Sequence, residues 1–226
     1  MTPDLSWRER QQFCEDWYDA LSTDARRALL SKDYKPHQAT LGTFYGSVLD
    51  VGAGCGFAAH YLPRSARYIA LEPSTFWLHP DWLALANKRD FVLGIGEELP
   101  FASSTFDAVL SMWSLNHGHS PQQICSEMAR VLKPGGKIFI ILEESEPRWS
   151  DLLDRGLLET GLKNVMRQTV TRKILYPLIR REWPLSPDHA YIPDESLLSW
   201  FSAGRSRLVK REWRGGYLCF ELQKDL

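Results

Sequence analysis

The stretch VLDVGAGCGFAAHYL, residues 48–62, decides the fold. An apolar run is followed at once by Gly52, Gly54 and Gly56. Glycine admits left-handed backbone turns and lets a ligand or a neighbouring segment approach closely. A buried strand opening into such a loop begins an open α/β sheet, in which ligands sit beyond the carboxyl ends of the strands. The dinucleotide fingerprint G-x-G-x-x-G needs its last glycine at the position held by Phe57, and this chain spells G-x-G-x-G instead. The spacing alone leaves a phosphate, another cofactor or a purely structural turn open.

Working outward, short apolar runs alternate with helical stretches. SVLDV (47–51), RYIALE (67–72), DFVLGI (90–95), FDAVLSMW (106–113) and GKIFIILEE (136–144) read as strands. Residues 79–88 and 120–133 read as helices, the second with Ser120 as N-cap, Pro121 in its first turn and KPGGK as its stop. This alternation predicts an α/β fold, a Rossmann-like doubly wound sheet that is mostly parallel with helices on both faces. Upstream, residues 1–46 form a helical segment with Phe13, Trp17 and Leu21 at four-residue spacing. Downstream, residues 145–206 break the rhythm and read as an insertion covering the substrate site. Residues 207–226 hold two strand-like runs joined by Arg214, Gly215 and Gly216, the pattern of an antiparallel hairpin. The expected organisation is therefore one domain, residues 1–226, with its cofactor-binding core at 47–144.

Composition narrows the function classes. The chain has 226 residues, 44% hydrophobic and 24% charged, with a formal net charge of -1. That balance is ordinary for a globular protein and is not that of a generally basic nucleic-acid binder. No apolar run approaches the roughly 20 residues that cross a bilayer, and no apolar leader core opens the chain. A cytoplasmic protein without membrane or nucleic-acid partners is expected; no motif encodes an oligomeric state. The four cysteines form no C-x-x-C pair, so neither a metal site nor a disulfide framework is expected.

Glu72 ends the second strand, 20 positions after Gly52. A carboxylate there can accept hydrogen bonds from both hydroxyls of a ribose, although a solvated strand-end glutamate would look the same in sequence. The remaining pattern weighs the choice. Glu97, Leu99, Pro100 and Phe101 are followed by Phe106 and Asp107, then Leu115 and His117, then RVLKPGG from Arg130 to Gly136. Together with VLDVGAGCG, this series resembles the class I S-adenosylmethionine-dependent methyltransferases of the small-molecule, type 11-like group, over about residues 48–142.

The resemblance implies S-adenosyl-L-methionine as cofactor and assigns roles by position. Asp50 would order the loop or meet the cofactor ammonium. Gly52 and Gly54 would let the backbone touch the methionine portion. Glu72 would hold the ribose, with Pro73 beside the adenine and Gly96 and Glu97 bordering it from the far side. Ser111 and Trp113 would lie beneath the sulfonium. The series departs from many relatives at Ile95, where an aspartate accepts from the adenine amino group.

Sulfonium methyl transfer asks the protein to align a small-molecule acceptor and exclude water. A hydroxyl acceptor also benefits from a base near neutral pKa. Candidates are His117, His189 in the loop SPDHAYIP, and Glu143 at the end of the fifth strand. The expected reaction is methyl transfer to a small molecule, most simply at a hydroxyl oxygen. Methylation at nitrogen, carbon or sulfur, or a non-catalytic cofactor-binding scaffold, are the alternatives. A basic run between residues 163 and 182 fits either a solvated helix face or attraction of an anionic acceptor.

Overall fold

The apolar runs become five parallel strands: β1 (Ser47–Val51), β2 (Arg67–Glu72), β3 (Asp90–Leu93), β4 (Phe106–Met112) and β5 (Leu132–Leu142). The hairpin follows as β6 (Ser206–Arg214) and β7 (Tyr217–Lys224), turning through Gly215 and Gly216, both at positive φ. The sheet order is β3-β2-β1-β4-β5-β7-β6, with β7 antiparallel to both β5 and β6. The computed structural model describes residues 6–85, 90–142, 150–151 and 191–226. Six helices belong to these residues: α1 (Trp7–Asp19), α2 (Thr23–Tyr34), α3 (Gln38–Leu41), α4 (Pro80–Leu83), α5 (Pro121–Val131) and α6 (Asp194–Ala203).

The sheet separates two cores because successive side chains point to opposite faces. On β1, Leu49 and Val51 pack with α5 and α6, whereas Val48 packs with α2, α3 and the glycine loop. α5 buries Ile124, Cys125, Met128, Ala129 and Val131 on one face, and Ser120 Oγ caps it by accepting from Gln123 N. α1 begins with a reciprocal capping box between Ser6 and Glu9.

Several residues of the diagnostic series are structural ties. Asp107 accepts from Ser47 N at 2.8 Å and from Lys133 Nζ at 2.8 Å, joining the entry to β1 with β4 and β5. The Lys133 bond holds the Asp107 carboxyl below the usual carboxylate range. Arg130 donates to Glu127 and to the carbonyls of Leu99 and Phe101, while Leu99 N donates to Glu127. The L-P-F turn is thereby fastened to the end of α5.

Three local expectations change. The glycine loop leads only into a short 3-10 turn, Phe57–His60, with Gly56 left-handed at φ 76 before it. The helix expected over residues 79–88 spans Pro80–Leu83, and residues 86–89 lie outside the described residues. α5 ends at Val131, earlier than KPGGK, because Leu132 is already extended and pairs with Phe106. Pro134 favours an extended Lys133, so these residues open β5 through a register shift instead of closing the helix. The basic run, Glu143 and His189 all fall outside the described residues.

Asp151 meets β6 and α6 in one buried polar cluster. Arg211 donates to both oxygens of Asp151 at 2.9 Å and to Asp194 Oδ2 at 2.7 Å, and Trp213 Nε1 donates to Asp151 Oδ2. Removing one member of a buried charged cluster leaves polar atoms desolvated without compensation. Asp151→Ala is expected to lower the unfolding free energy by about 2–3 kcal/mol, since Asp194 still pairs with Arg211. Urea denaturation checks this; an unchanged midpoint would mean that the cluster contributes nothing to stability.

Candidate functional site

The carboxyl ends of β1, β2 and β4 open into a cavity of about 300 Å³. The glycine loop forms its floor. Gly52 N and Ala53 N both donate to Leu71 O, at 2.8 and 3.1 Å, which fastens the loop to the end of β2. Gly52 has φ 71, and a Cβ there would lie 2.3 Å from Ser114 Cβ, so no larger residue fits. Ser114 Oγ in turn donates to Val51 O and shares a 2.8 Å hydrogen bond with Ser111 Oγ, locking the β4 end against the loop.

Glu72 is 5% exposed. Its Oε2 accepts from Gly54 N at 2.9 Å and its Oε1 from Ser74 N at 3.2 Å. Burial pushes its carboxyl up to about 7, against the opposing pull of those two N–H donors. Each carboxylate oxygen has two lone pairs, so both can accept a further bond from the cavity side. Gly54 takes φ 54, which places its N–H toward Glu72 and leaves only ordinary contact with the Trp77 ring where a Cβ would stand.

Gly52, Gly54, Glu72, Pro73, Gly96, Glu97, Ser111, Trp113 and His117 all line this cavity. Asp50 does not reach the wall. Its side chain accepts from Tyr68 Oη at 2.7 Å, while Oδ1 has no partner among the described residues. Burial lifts Asp50 to about 6. Glu97 turns back to α5, accepting from Ser120 N through Oε1 and from Gln123 Nε2 through its carbonyl. Gly96 is needed for packing: a Cβ would stand 3.0 Å from Val51 and 3.1 Å from Ile124.

The opposite wall comes from segments to which sequence reasoning gave no site role. α1 contributes Cys14, Trp17 and Tyr18, α2 contributes Asp33 and Tyr34, and β7 contributes Tyr217. Phe13 and Trp17, at 45% and 51% exposed, stand at the cavity rim instead of in a core. α1 docks through Tyr18, edge-on to Trp77 and Trp82, and through Glu15, which accepts from Ser74 Oγ. Arg26, 6% exposed, lies 4.4 Å above Trp82 and donates to the carbonyls of Tyr18 and Asp19, fixing the α1–α2 turn. The four-residue aromatic repeat was the available signal, but a cavity wall and a core face share that period.

The residues present suit a nucleoside carrying a charged methionine tail. An acidic side chain with spare acceptor capacity borders a glycine floor, Ile95 and Pro73 add apolar surface, and no Lys or Arg lines the cavity among the described residues.

A methyltransferase-domain family profile matches residues 49–140. An uncharacterized methyltransferase of Mycobacterium leprae is 41% identical over 95 residues, covering 41% of this chain and 35% of that protein. The matched region thus spans about a third of that relative's length. Among solved structures, the putative methyltransferase of Haloferax volcanii, seen in complex with the Trm112 methyltransferase activator, superposes with TM-score 0.65 at 16% identity, covering 94% of this chain and 97% of that one. The Burkholderia thailandensis 1,6-didemethyltoxoflavin-N1-methyltransferase, with bound 1,6-didemethyltoxoflavin and S-adenosylhomocysteine, superposes with TM-score 0.62 at 18% identity, covering 98% and 92%. Residues 49–140 therefore carry a methyltransferase domain, and the chain has the fold of S-adenosylmethionine-dependent methyltransferase structures.

Proposed function

We propose that this chain transfers the methyl group of S-adenosylmethionine to a small-molecule acceptor, with a hydroxyl oxygen as the receiving atom. The observation that carries the reading is Glu72, buried at the cavity edge, fixed by Gly54 N and Ser74 N and left with acceptor capacity. When bound, the cofactor supplies a methyl carbon on a sulfonium: the acceptor's lone pair forms the new bond while the carbon–sulfur bond breaks and its electrons return to sulfur. Glu72 holds the ribose hydroxyls. Gly52 and Gly54 allow the methionine portion to approach the backbone, and Ser111 and Trp113 close the space beneath the sulfur. Pro73 and Gly96 flank the adenine, and Glu97 supports that flank through α5. Asp50 acts from behind the loop, through Tyr68, and orders β1 at its carboxyl end.

His117, on the wall beside Gly118, is the described group that can take the acceptor's proton. His189 and Glu143 keep their assignments as candidate proton acceptors, outside the described residues. The aromatic α1 and α2 wall excludes water around the transferring methyl, which strengthens every charged contact inside.

Calorimetric titration with S-adenosylhomocysteine is expected to show binding. Glu72→Ala should weaken it by about 1.5–3 kcal/mol, on the order of ten- to a hundredfold in Kd. Unchanged affinity removes Glu72 from the site.

Ribose recognition needs ionised Glu72, so affinity should fall as the pH drops below about 7, and Glu72→Gln should flatten that dependence. The linkage for the ligand-free chain has the opposite sign. A carboxyl raised above its unfolded value makes the fold less stable as pH rises from about 4.5 to about 7. The melting temperature of Glu72→Gln relative to the parent chain should therefore increase between pH 5 and pH 8.

Incubation with methyl-labelled cofactor and a metabolite extract tests the reaction itself. Label in a small-molecule ether is the expected product. Cofactor binding without any transfer would identify a scaffold instead.

A further inference from the structure

α1 covers the cavity with one stripe of side chains. Trp7, Gln11, Cys14 and Tyr18 share a helix face, are half-buried and all line the cavity. None of the described side chains of α1 is fully buried, whereas α5 buries five. A helix held by so little buried surface belongs to the part of a fold that opens first. Its N-terminus is capped from within, Ser6 and Glu9 bonding each other, and α2 starts with a cap of its own, Ser22 Oγ accepting from Ala25 N. α1 can therefore swing about Leu21 and Ser22 with the hydrogen bonds inside both helices intact. Arg26 marks the pivot: it donates to the carbonyls of Tyr18 and Asp19 and lies over Trp82.

Glu15, beside the stripe, ties α1 down. Its carboxylate accepts from Ser74 Oγ, while Ser74 N donates to Glu72 at 3.2 Å and Phe76 N donates to Ser74 Oγ at 3.1 Å. Neither Glu15 nor Ser74 lines the cavity, so both act through other groups. We propose that α1 is a hinged cover over the cofactor cavity and that Glu15, through Ser74, is the positioning residue that latches it shut. The identity of the ligand underneath rests on the methyl-transfer reading above; the latch does not. A ligand lying on the glycine loop gains contact with the Trp7–Tyr18 stripe only while the cover is down, so ligand and closed cover favour each other. Its departure then waits for the latch to break.

The test compares the intact parent chain with Glu15→Ala, Glu15→Gln and Ser74→Ala. Alanine is a better helix former than glutamate, so Glu15→Ala does not weaken α1 itself, and glutamine keeps an acceptor oxygen in place. A lifted helix of 13 residues is marginal in water, so its amide exchange reports opening. In the ligand-free chain, amides 11–17 should exchange about tenfold faster or more in Glu15→Ala and Ser74→Ala, and within about threefold of the parent in Glu15→Gln, with α5 unchanged. Stopped-flow tryptophan fluorescence, with Trp7 and Trp17 on the cover as reporters, follows S-adenosylhomocysteine. Its dissociation from Glu15→Ala should be about tenfold faster or more, with no fall in the association rate, and Glu15→Gln should again stay within about threefold of the parent. Slower association in Glu15→Ala would mark general damage to the site and overturns the proposal. Exchange of amides 11–17 within threefold of the parent in Glu15→Ala overturns it too, as does Glu15→Gln behaving like Glu15→Ala. Should S-adenosylhomocysteine fail to bind the parent chain, the methyl-transfer reading falls, and the exchange measurement alone decides the latch.

Discussion

A single buried carboxylate holds the cofactor end of the molecule in register. Glu72 receives an N–H from the loop after β1 and another from the segment after β2, and the loop is also tied to the end of β2 through Leu71 O. Without the acid, the N–H groups of Gly54 and Ser74 would lose their side-chain acceptor. Ser74 also donates to Glu15, so the attachment of α1 depends on the same short segment. Loop, strand end and covering helix are therefore one connected unit, built around a charge that the protein interior resists.

Sequence patterning revealed the sheet well because parallel strands buried on both faces read as continuous apolar runs. Several residues of the family series have a structural task in this chain: Asp107 with Lys133, and Arg130 with Glu127, tie the sheet and the L-P-F turn together. The glycine loop was legible too, since Gly52 and Gly54 occupy left-handed positions that few other residues tolerate. Position on a strand, however, does not name a partner. Asp50 has the residue type expected at the end of β1, and its partner there, Tyr68 Oη, comes from the neighbouring strand, a contact that no local pattern announces.

The cavity wall opposite the glycine loop was the least legible part. Phe13 and Trp17 have the period of any amphipathic helix, and nothing in that period says whether the apolar face meets a core or an open cavity. Tyr217 reaches the site only because β7 inserts antiparallel between β5 and β6, a long-range pairing that carries no local signal. Behind this wall, His37 is wholly buried against Trp113 and Phe139, and burial drives its pKa down to about 3. It therefore stays neutral at physiological pH and backs the indole as an aromatic packing residue.

One guanidinium, that of Arg211 in β6, grips Asp151, downstream of β5, and Asp194 at the start of α6. Held by one side chain, the two acids pin the start of α6 and the middle of β6 to a single point beside the sheet. The antiparallel edge of the sheet is thereby closed by an ion cluster and not by apolar packing alone, so its strength depends on keeping all three charges in place.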